Sequence, residues 1–165
     1  MSEAAENLNS GSSVEAALQE KGITVPEVSV PPGAAYVGYT ISGNQVIISG
    51  QLPFKDGELF KTGILGKDVS LEEGQETAKV CALNVLGHLK NACGGDLDKV
   101  KKALKLEILV AATPEFKEPH VVANGASQLI KDAFGEEKGA HARVAYGVST
   151  LPMGVAVEVA GTFEI

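Results

Sequence analysis

Arg143 is the residue of this chain best suited to gripping an anion. It stands alone in Ala142-Arg143-Val144-Ala145-Tyr146-Gly147-Val148, at the head of an otherwise uncharged strand-like run. A guanidinium carried into a sheet needs an acidic partner, and its planar fork fits a carboxylate through two parallel hydrogen bonds. Glu158 is the matching feature, the single acid within Val155-Ala156-Val157-Glu158-Val159-Ala160. If the last two strands form a hairpin turned at Leu151-Pro152-Met153-Gly154, Arg143 and Glu158 lie toward the same end. They then either neutralise each other as a structural ion pair or flank one pocket and share a polar ligand. Spacing alone leaves both readings open.

Other candidates are weaker taken singly. Tyr36 opens the first strand-like run, where a tyrosine is commonly a packing residue with its hydroxyl in water. Ser49-Gly50-Gln51 ends the second run with a glycine able to expose backbone amides. Asn124 sits in a helical stretch that asparagine disfavours, which invites either a side-chain role or a solvent-facing turn. Cys81 lies on an apolar stripe and reads as core. Cys93, at a helix C-terminus beside Gly94-Gly95, lacks the positive helix end that would stabilise a thiolate. His141, two residues from Arg143, has a nearby cation to lower its pKa; it either shapes a pocket mouth or, more plainly, sits exposed in a loop.

The composition excludes whole classes of function. The 165 residues carry 14 Lys+Arg against 21 Asp+Glu, giving 14 − 21 = −7 and a pI near 5.0. Binding a polyanion needs clustered cations that displace condensed counterions. The densest basic run, Lys99, Lys101, Lys102 and Lys105, is interleaved with Asp96, Asp98 and Glu107. Nucleic acid is therefore not an expected partner. The three histidines and two cysteines show no C-x-x-C or H-E-x-x-H spacing, so no metal and no cofactor is expected. No G-x-S-x-G, phosphate-loop or dinucleotide fingerprint occurs. Few cysteines, no charged-then-apolar leader and no long apolar run point to a soluble, cytoplasmic protein.

The elements that must position these residues follow from periodicity. Residues 1–12 are polar without apolar rhythm and read as a disordered lead-in. Ser13 is placed to cap a short helix over 14–20, and Pro26, Pro31 and Pro32 mark an extended connector up to residue 34. The compact body is expected over 35–165. Strands over 36–41 and 45–49 flank Ser42-Gly43-Asn44, a tight-turn signal, and a short strand over 58–61 follows a second turn. Ser70-Leu71-Glu72-Glu73 fits a capping box. Behind it Ala78, Cys81, Ala82, Val85, Leu86 and Leu89 form a helical stripe that stops at Gly94-Gly95. Leu104, Leu106, Ile108 and Val110 alternate as a half-buried strand. A second long helix starts at Pro119 and ends at Phe134, before Gly135, and strands over 144–149 and 155–165 close the chain. The order ββ(β)αβαββ predicts an α+β fold with a mixed sheet and two helices on one face. Val144, Val155, Val157 and Val159 are expected to make the other face apolar, a surface better buried by subunit association than left wet.

Taken together, Ile48-Ser49-Gly50-Gln51-Leu52-Pro53, the helical segment around Asn124, and Ala142-Arg143 followed by Leu151-Pro152 and Val157-Glu158-Val159 resemble the Rid, or YjgF-like, family of reactive-intermediate deaminases over about 35–165. The residues before that, with the longer 55–70 region, look like a longer subgroup. The resemblance implies a chorismate-mutase-like fold assembled as a homotrimer with three clefts between subunits. It implies cofactor-independent hydrolysis of enamine or imine intermediates such as 2-aminoacrylate to 2-keto acids and ammonia. By the same resemblance Arg143 would hold the substrate carboxylate and the backbone of Ala145 would hydrogen-bond the substrate. Glu158 would position or activate water. Tyr36, Ser49, Gly50 and Asn124 would line the cleft, with Tyr36 facing a neighbour's Arg143. Well-studied members often carry Cys where Ala145 stands, but the ligand contact there is made by backbone. The alternatives are a non-catalytic binder of small carboxylates such as 2-keto acids and, weakest on the charge argument, an endoribonuclease.

Overall fold

A computed structural model describes residues 12–165. The expected disorder of the first residues lies, apart from Ser12, outside the described part. Helix α1 spans Ser13–Glu20, and its cap is Ser12, whose hydroxyl accepts from the Glu15 amide at 3.1 Å. Ser13, expected as the cap, is instead the first helical residue. Its amide and hydroxyl donate to the Asp98 carboxylate at 2.8 and 2.9 Å, and the Val14 amide adds a bond of 3.1 Å. A distant acid thus satisfies the positive end of this helix. Val14 and Leu18 are buried in the same core as the rest of the chain.

Strands β1 (Tyr39–Ser42) and β2 (Gln45–Gln51) form the expected hairpin, turned where Gly43 takes φ +61°. Strand β1 begins three residues after Tyr36, which lies in the preceding bend. Strands β3 (Phe54–Lys55) and β4 (Glu58–Leu59) pair only with each other. Helix α2 (Leu71–Ala92) starts in a complete capping box: the Glu73 amide donates to Ser70 Oγ at 3.1 Å and the Ser70 amide to Glu73 Oε2 at 2.9 Å. Its six stripe residues are all fully buried.

Strand β5 (Lys102–Ala111) leads into α3 (Pro119–Lys138) and then β6 (Ala142–Val148). Gly135, at φ 82° and ψ 178°, ends the regular part of α3 at Phe134, and one further turn follows it. Gly125 lets α3 lie against α2, because a Cβ there would overlap the Gln75 carbonyl; the Gln75 side chain donates to Val121 O at 3.0 Å. This close approach fixes the helix beside which β6 runs.

The main sheet has the order β1-β2-β7-β5-β6, with β7 spanning Val157–Glu164, and it is mixed because β5 and β6 run parallel. The expected β6–β7 hairpin is therefore corrected: β5 lies between the two strands. A strand–helix–strand unit leaves its strands parallel, so β6 is committed to β5 and the chain must cross back before β7 can add antiparallel. The crossing is made through a short 3-10 turn, Pro152–Gly154, with Met153 at φ 58°.

A second correction concerns the faces. Val157 and Val159 are fully buried in the core beneath the helices and Val155 is buried where it bridges Thr62, whereas Val144 is exposed on the uncovered face with Tyr146 and Ile47. The period of two was read correctly in β7 but assigned to the wrong side, since Gly161 and Phe163 continue the buried set. In β5 an irregularity between Ala103 and Lys105 shifts the alternation, so Ala103 is buried and Leu104 only half-buried. Helices α2 and α3 cover one face of the sheet as expected, and α1 packs beside α3.

Candidate functional site

Arg143 is held along one side of α3. Its Nη1 donates to Asn124 Oδ1 at 2.8 Å and to Ser127 Oγ at 3.2 Å, and its Nη2 donates to the His120 carbonyl at 3.1 Å. His120, Asn124 and Ser127 stand at i, i+4 and i+7, one stripe of the helix. Three of the five guanidinium donors are thereby used. The other two, Nε–H and the second Nη2–H, make no bond among the described residues, and they form the side-on edge that accommodates a carboxylate bidentately. Arg143 has no acidic partner within 4.0 Å among the described residues, which removes the structural ion pair as an explanation for it.

His141 joins this cluster and is half-buried rather than exposed in a loop. Its Nδ1 faces the Gly139 carbonyl at 2.7 Å and its Nε2 faces Ser127 Oγ at 2.9 Å. Burial is the main influence lowering its pKa, opposed by the Gly139 bond and assisted by the Arg143, Lys131 and Lys102 charges. Asn124 is exposed, yet its side chain is spent on Arg143 rather than on solvent.

Strand β6 is an edge of the sheet. Val148 O accepts from the Ala112 amide, so the backbone groups of Val148, and by alternation those of Tyr146 and Val144, point toward β5. The amide and carbonyl of Ala145 consequently point outward, on the same side as those of Arg143, where a ligand can reach them.

Glu158 lies elsewhere. Arg143 is level with Leu106 and Glu158 with Leu109, on strands separated by β5. Three steps along the strand and two across put their Cα atoms roughly 14 Å apart. Their side chains also leave opposite faces: Arg143 toward α3, Glu158 toward the uncovered side between buried Val157 and Val159. What approaches Glu158 is Gly50, where a Cβ would overlap the carboxylate oxygen Oε1. Gly50 sits in the irregular step of β2 between Ile48 and Gln51. The Glu158 carboxylate accepts no hydrogen bond from the described residues, and burial alone raises its pKa.

Ser49 extends this second cluster. Its hydroxyl donates to Val37 O at 2.6 Å and its amide to Gly38 O at 3.0 Å, tying down the segment that carries Tyr36. Tyr36 is 58% exposed. The seven candidates thus divide into Arg143, Asn124 and Ala145 on one side and Glu158, Gly50, Ser49 and Tyr36 on the other. Sequence reasoning did not reach Ser127 or the His120 carbonyl, although their helical spacing from Asn124 was there to be read. Among the described residues no three His, Cys, Asp or Glu side chains gather to share a metal ion, and no helix is long and apolar enough to cross a membrane.

Residues 15–161 match the family described as "YjgF/chorismate_mutase-like, putative endoribonuclease". The chain belongs to the YjgF/Rid family. Protein TCP17 of Trypanosoma cruzi is 47% identical over 152 residues, covering 92% of this chain and 94% of that one. Among solved structures, Atu1372 of Agrobacterium tumefaciens, described as of unknown function, is 43% identical with a TM-score of 0.85, 92% of each chain being covered. A protein of Shewanella oneidensis described as a "putative endoribonuclease" is 32% identical with a TM-score of 0.87, covering 92% of this chain and 99% of that one. The mixed sheet with helices on one face is the chorismate-mutase-like fold of this YjgF/Rid family.

Proposed function

We propose that the chain is a hydrolytic deaminase, working without a cofactor, of small enamine or imine intermediates that carry a carboxylate. The observation that carries this reading is the side-on edge of Arg143, two donors left over from a guanidinium otherwise fully engaged by α3. Arg143 holds the substrate carboxylate, Asn124 holds Arg143, and the outward backbone of Ala145 bonds the substrate. Glu158, whose pKa is raised by burial and whose carboxylate accepts no hydrogen bond from the described residues, positions a water. In 2-aminoacrylate, protonation at carbon gives the iminium. Water then adds to the C=N carbon while Glu158 takes one of its protons and passes it to nitrogen; the C–N bond breaks as the remaining hydroxyl proton is released to solvent, replacing the one taken up at carbon, and pyruvate and ammonia result.

Because Arg143 and Glu158 leave opposite faces of one chain, this chemistry requires two chains. The Arg143 cluster of one subunit meets the Glu158, Gly50, Ser49 and Tyr36 cluster of the next. Two different patches meeting in this way make a heterologous contact, which closes into a ring, and we propose a homotrimer with three clefts. Exposed Val144, Tyr146 and Ile47 on the uncovered face supply apolar surface for the contact. A carboxylate binder without turnover is the second reading, favoured only by the same arginine.

The test generates 2-aminoacrylate with a dehydratase and follows keto-acid release. Arg143→Ala and Glu158→Ala homomers are each expected to be inactive. Coexpressed at equal levels, they should regain about a quarter of the wild-type rate, since half the Arg143 sites and half the facing Glu158 sites are intact. No acceleration by the wild type leaves the binder reading standing and removes the deaminase. Activity in the wild type with no recovery in the mixture places both residues in one chain's site and refutes the shared cleft.

A further inference from the structure

We infer that Ser127 and His141 form a brace, directed by the Gly139 carbonyl, that locks the Arg143 guanidinium so that its Nε/Nη2 edge faces a carboxylate ligand. This rests on the reading of Arg143 as a carboxylate site. It adds two positioning residues to that site, neither of which touches the ligand.

The direction of every bond in the brace follows from one fact: a carbonyl oxygen only accepts. Gly139 O lies 2.7 Å from His141 Nδ1, so Nδ1 carries the proton. The neutral ring then has its lone pair on Nε2, which accepts the Ser127 hydroxyl proton at 2.9 Å. With its single proton committed, Ser127 Oγ presents lone pairs, and Arg143 Nη1 donates into one of them at 3.2 Å. Nη1 is thereby filled by Ser127 together with Asn124 at 2.8 Å, and rotation about the terminal C–N bonds is blocked. The guanidinium plane is fixed by three acceptors on one helix, leaving the opposite edge as the place where a ligand can bond.

Protonating His141 undoes this order. Nε2 would become a donor to Ser127 Oγ, and the serine proton, having lost its acceptor, would compete with Arg143. The charged groups facing the ring are Arg143 on β6, Lys131 on α3 and Lys102 on β5, all cations. Lys131 is paired with Glu136 and Lys102 donates to the Glu137 carbonyl. The ring is therefore neutral at pH 7, and the brace is complete there and lost as pH falls through the histidine's lowered pKa.

The brace is tested on the full-length protein by nitrogen NMR of the Arg143 guanidinium and by calorimetric titration with pyruvate. In the wild type at pH 7.5 the Nη resonances are expected to be resolved by slow rotation, and to merge as the pH is lowered through the His141 titration. Ser127→Ala should merge them at every pH and weaken pyruvate binding about tenfold. Ser127→Thr, which keeps the hydroxyl, should restore both. His141→Gln, whose amide can accept from Ser127 and donate to Gly139, should keep the resonances resolved without the pH dependence. Unchanged guanidinium rotation and pyruvate affinity in Ser127→Ala, with binding abolished in Arg143→Ala, overturns the brace and leaves the carboxylate site intact. Loosened rotation in Ser127→Ala with pyruvate binding unaffected by Arg143→Ala overturns the carboxylate reading itself.

Discussion

The surroundings of Arg143 and those of Glu158 are built on opposite principles. Around Arg143, three acceptors on α3 hold a cation in one orientation, and two donors are left over. Around Glu158 no donor is provided by the described residues; a glycine removes bulk beside the carboxylate, and partial burial disfavours its charge. A group that must bind a charged ligand gains from being immobilised before the ligand arrives. A group that must take up and release a proton gains instead from a pKa moved toward the working pH and from open hydrogen-bonding positions for water. In the proposed reaction the first cluster serves binding and the second proton transfer, and each can be disturbed separately.

The largest expected effect is on the proton-transfer side. Glu158→Gln should lower kcat by about 100- to 10,000-fold while leaving pyruvate affinity unchanged, measured by steady-state keto-acid release and by calorimetry. Arg143→Ala should instead weaken pyruvate binding by about 30-fold or more, since a charged bidentate contact is lost. Equal losses of kcat and affinity in both variants would erase the distinction between the clusters. Gly50→Ala comes next: the added methyl displaces the Glu158 carboxylate, and turnover should fall about tenfold with the Arg143 NMR signature untouched.

pH sharpens the comparison further. Burial raises the Glu158 pKa in the folded state, so the folded chain binds a proton more tightly than the unfolded one. Stability from this group is lost as pH rises through the interval from the ordinary carboxylate value to the raised one, and kcat rises across the same interval as the base ionises. Glu158→Gln should therefore melt slightly above the wild type at pH 7, with the difference closing below the ordinary carboxylate range. A wild-type melting temperature that exceeds the variant's at pH 7 would mean the carboxylate is stabilised by partners in the assembly. The smallest effect belongs to Asp98. Asp98→Ala should cost about 1 kcal/mol through the acceptor lost to the Ser13 and Val14 amides, seen by thermal melting, with catalysis unchanged.

The extent to which these features could be read in advance depended on whether they are local. Ser70 with Glu73, the 42–44 turn and the end of α3 at Gly135 are contained within a few residues, and periodicity or spacing is enough to specify them. The apolar stripe of α2 is equally local. Strand order is not: that β5 should lie between β6 and β7 is decided by packing α3 across the sheet, and a turn sequence at 151–154 resembles a hairpin whichever strand comes next. The side of the sheet taken by Val157 and Val159 inverted for the same reason, since alternation gives a period without a sign. At the site, Arg143 and Glu158 stood out as charges in apolar runs. Ser127 did not, because one serine on a helix is unexceptional until the arginine from another strand is laid against it.

The clasp between Asp98 and the start of α1 bears on how the chain opens. The Asp98 pKa is lowered first by the bond from the Ser13 amide, with the Val14 amide and Ser13 hydroxyl adding to it. Its contribution is therefore present above the ordinary carboxylate range and lost as pH falls through the lowered value. Since α1 is otherwise attached through Val14, Leu18 and pairs such as Glu15 with Lys90 and Lys21 with Asp132, it is expected to open before the rest of the core. As the pH is taken below the ordinary carboxylate range, the α1 amides should exchange with deuterium well before those of β5 and β7, so that α1 comes away while the sheet stays closed.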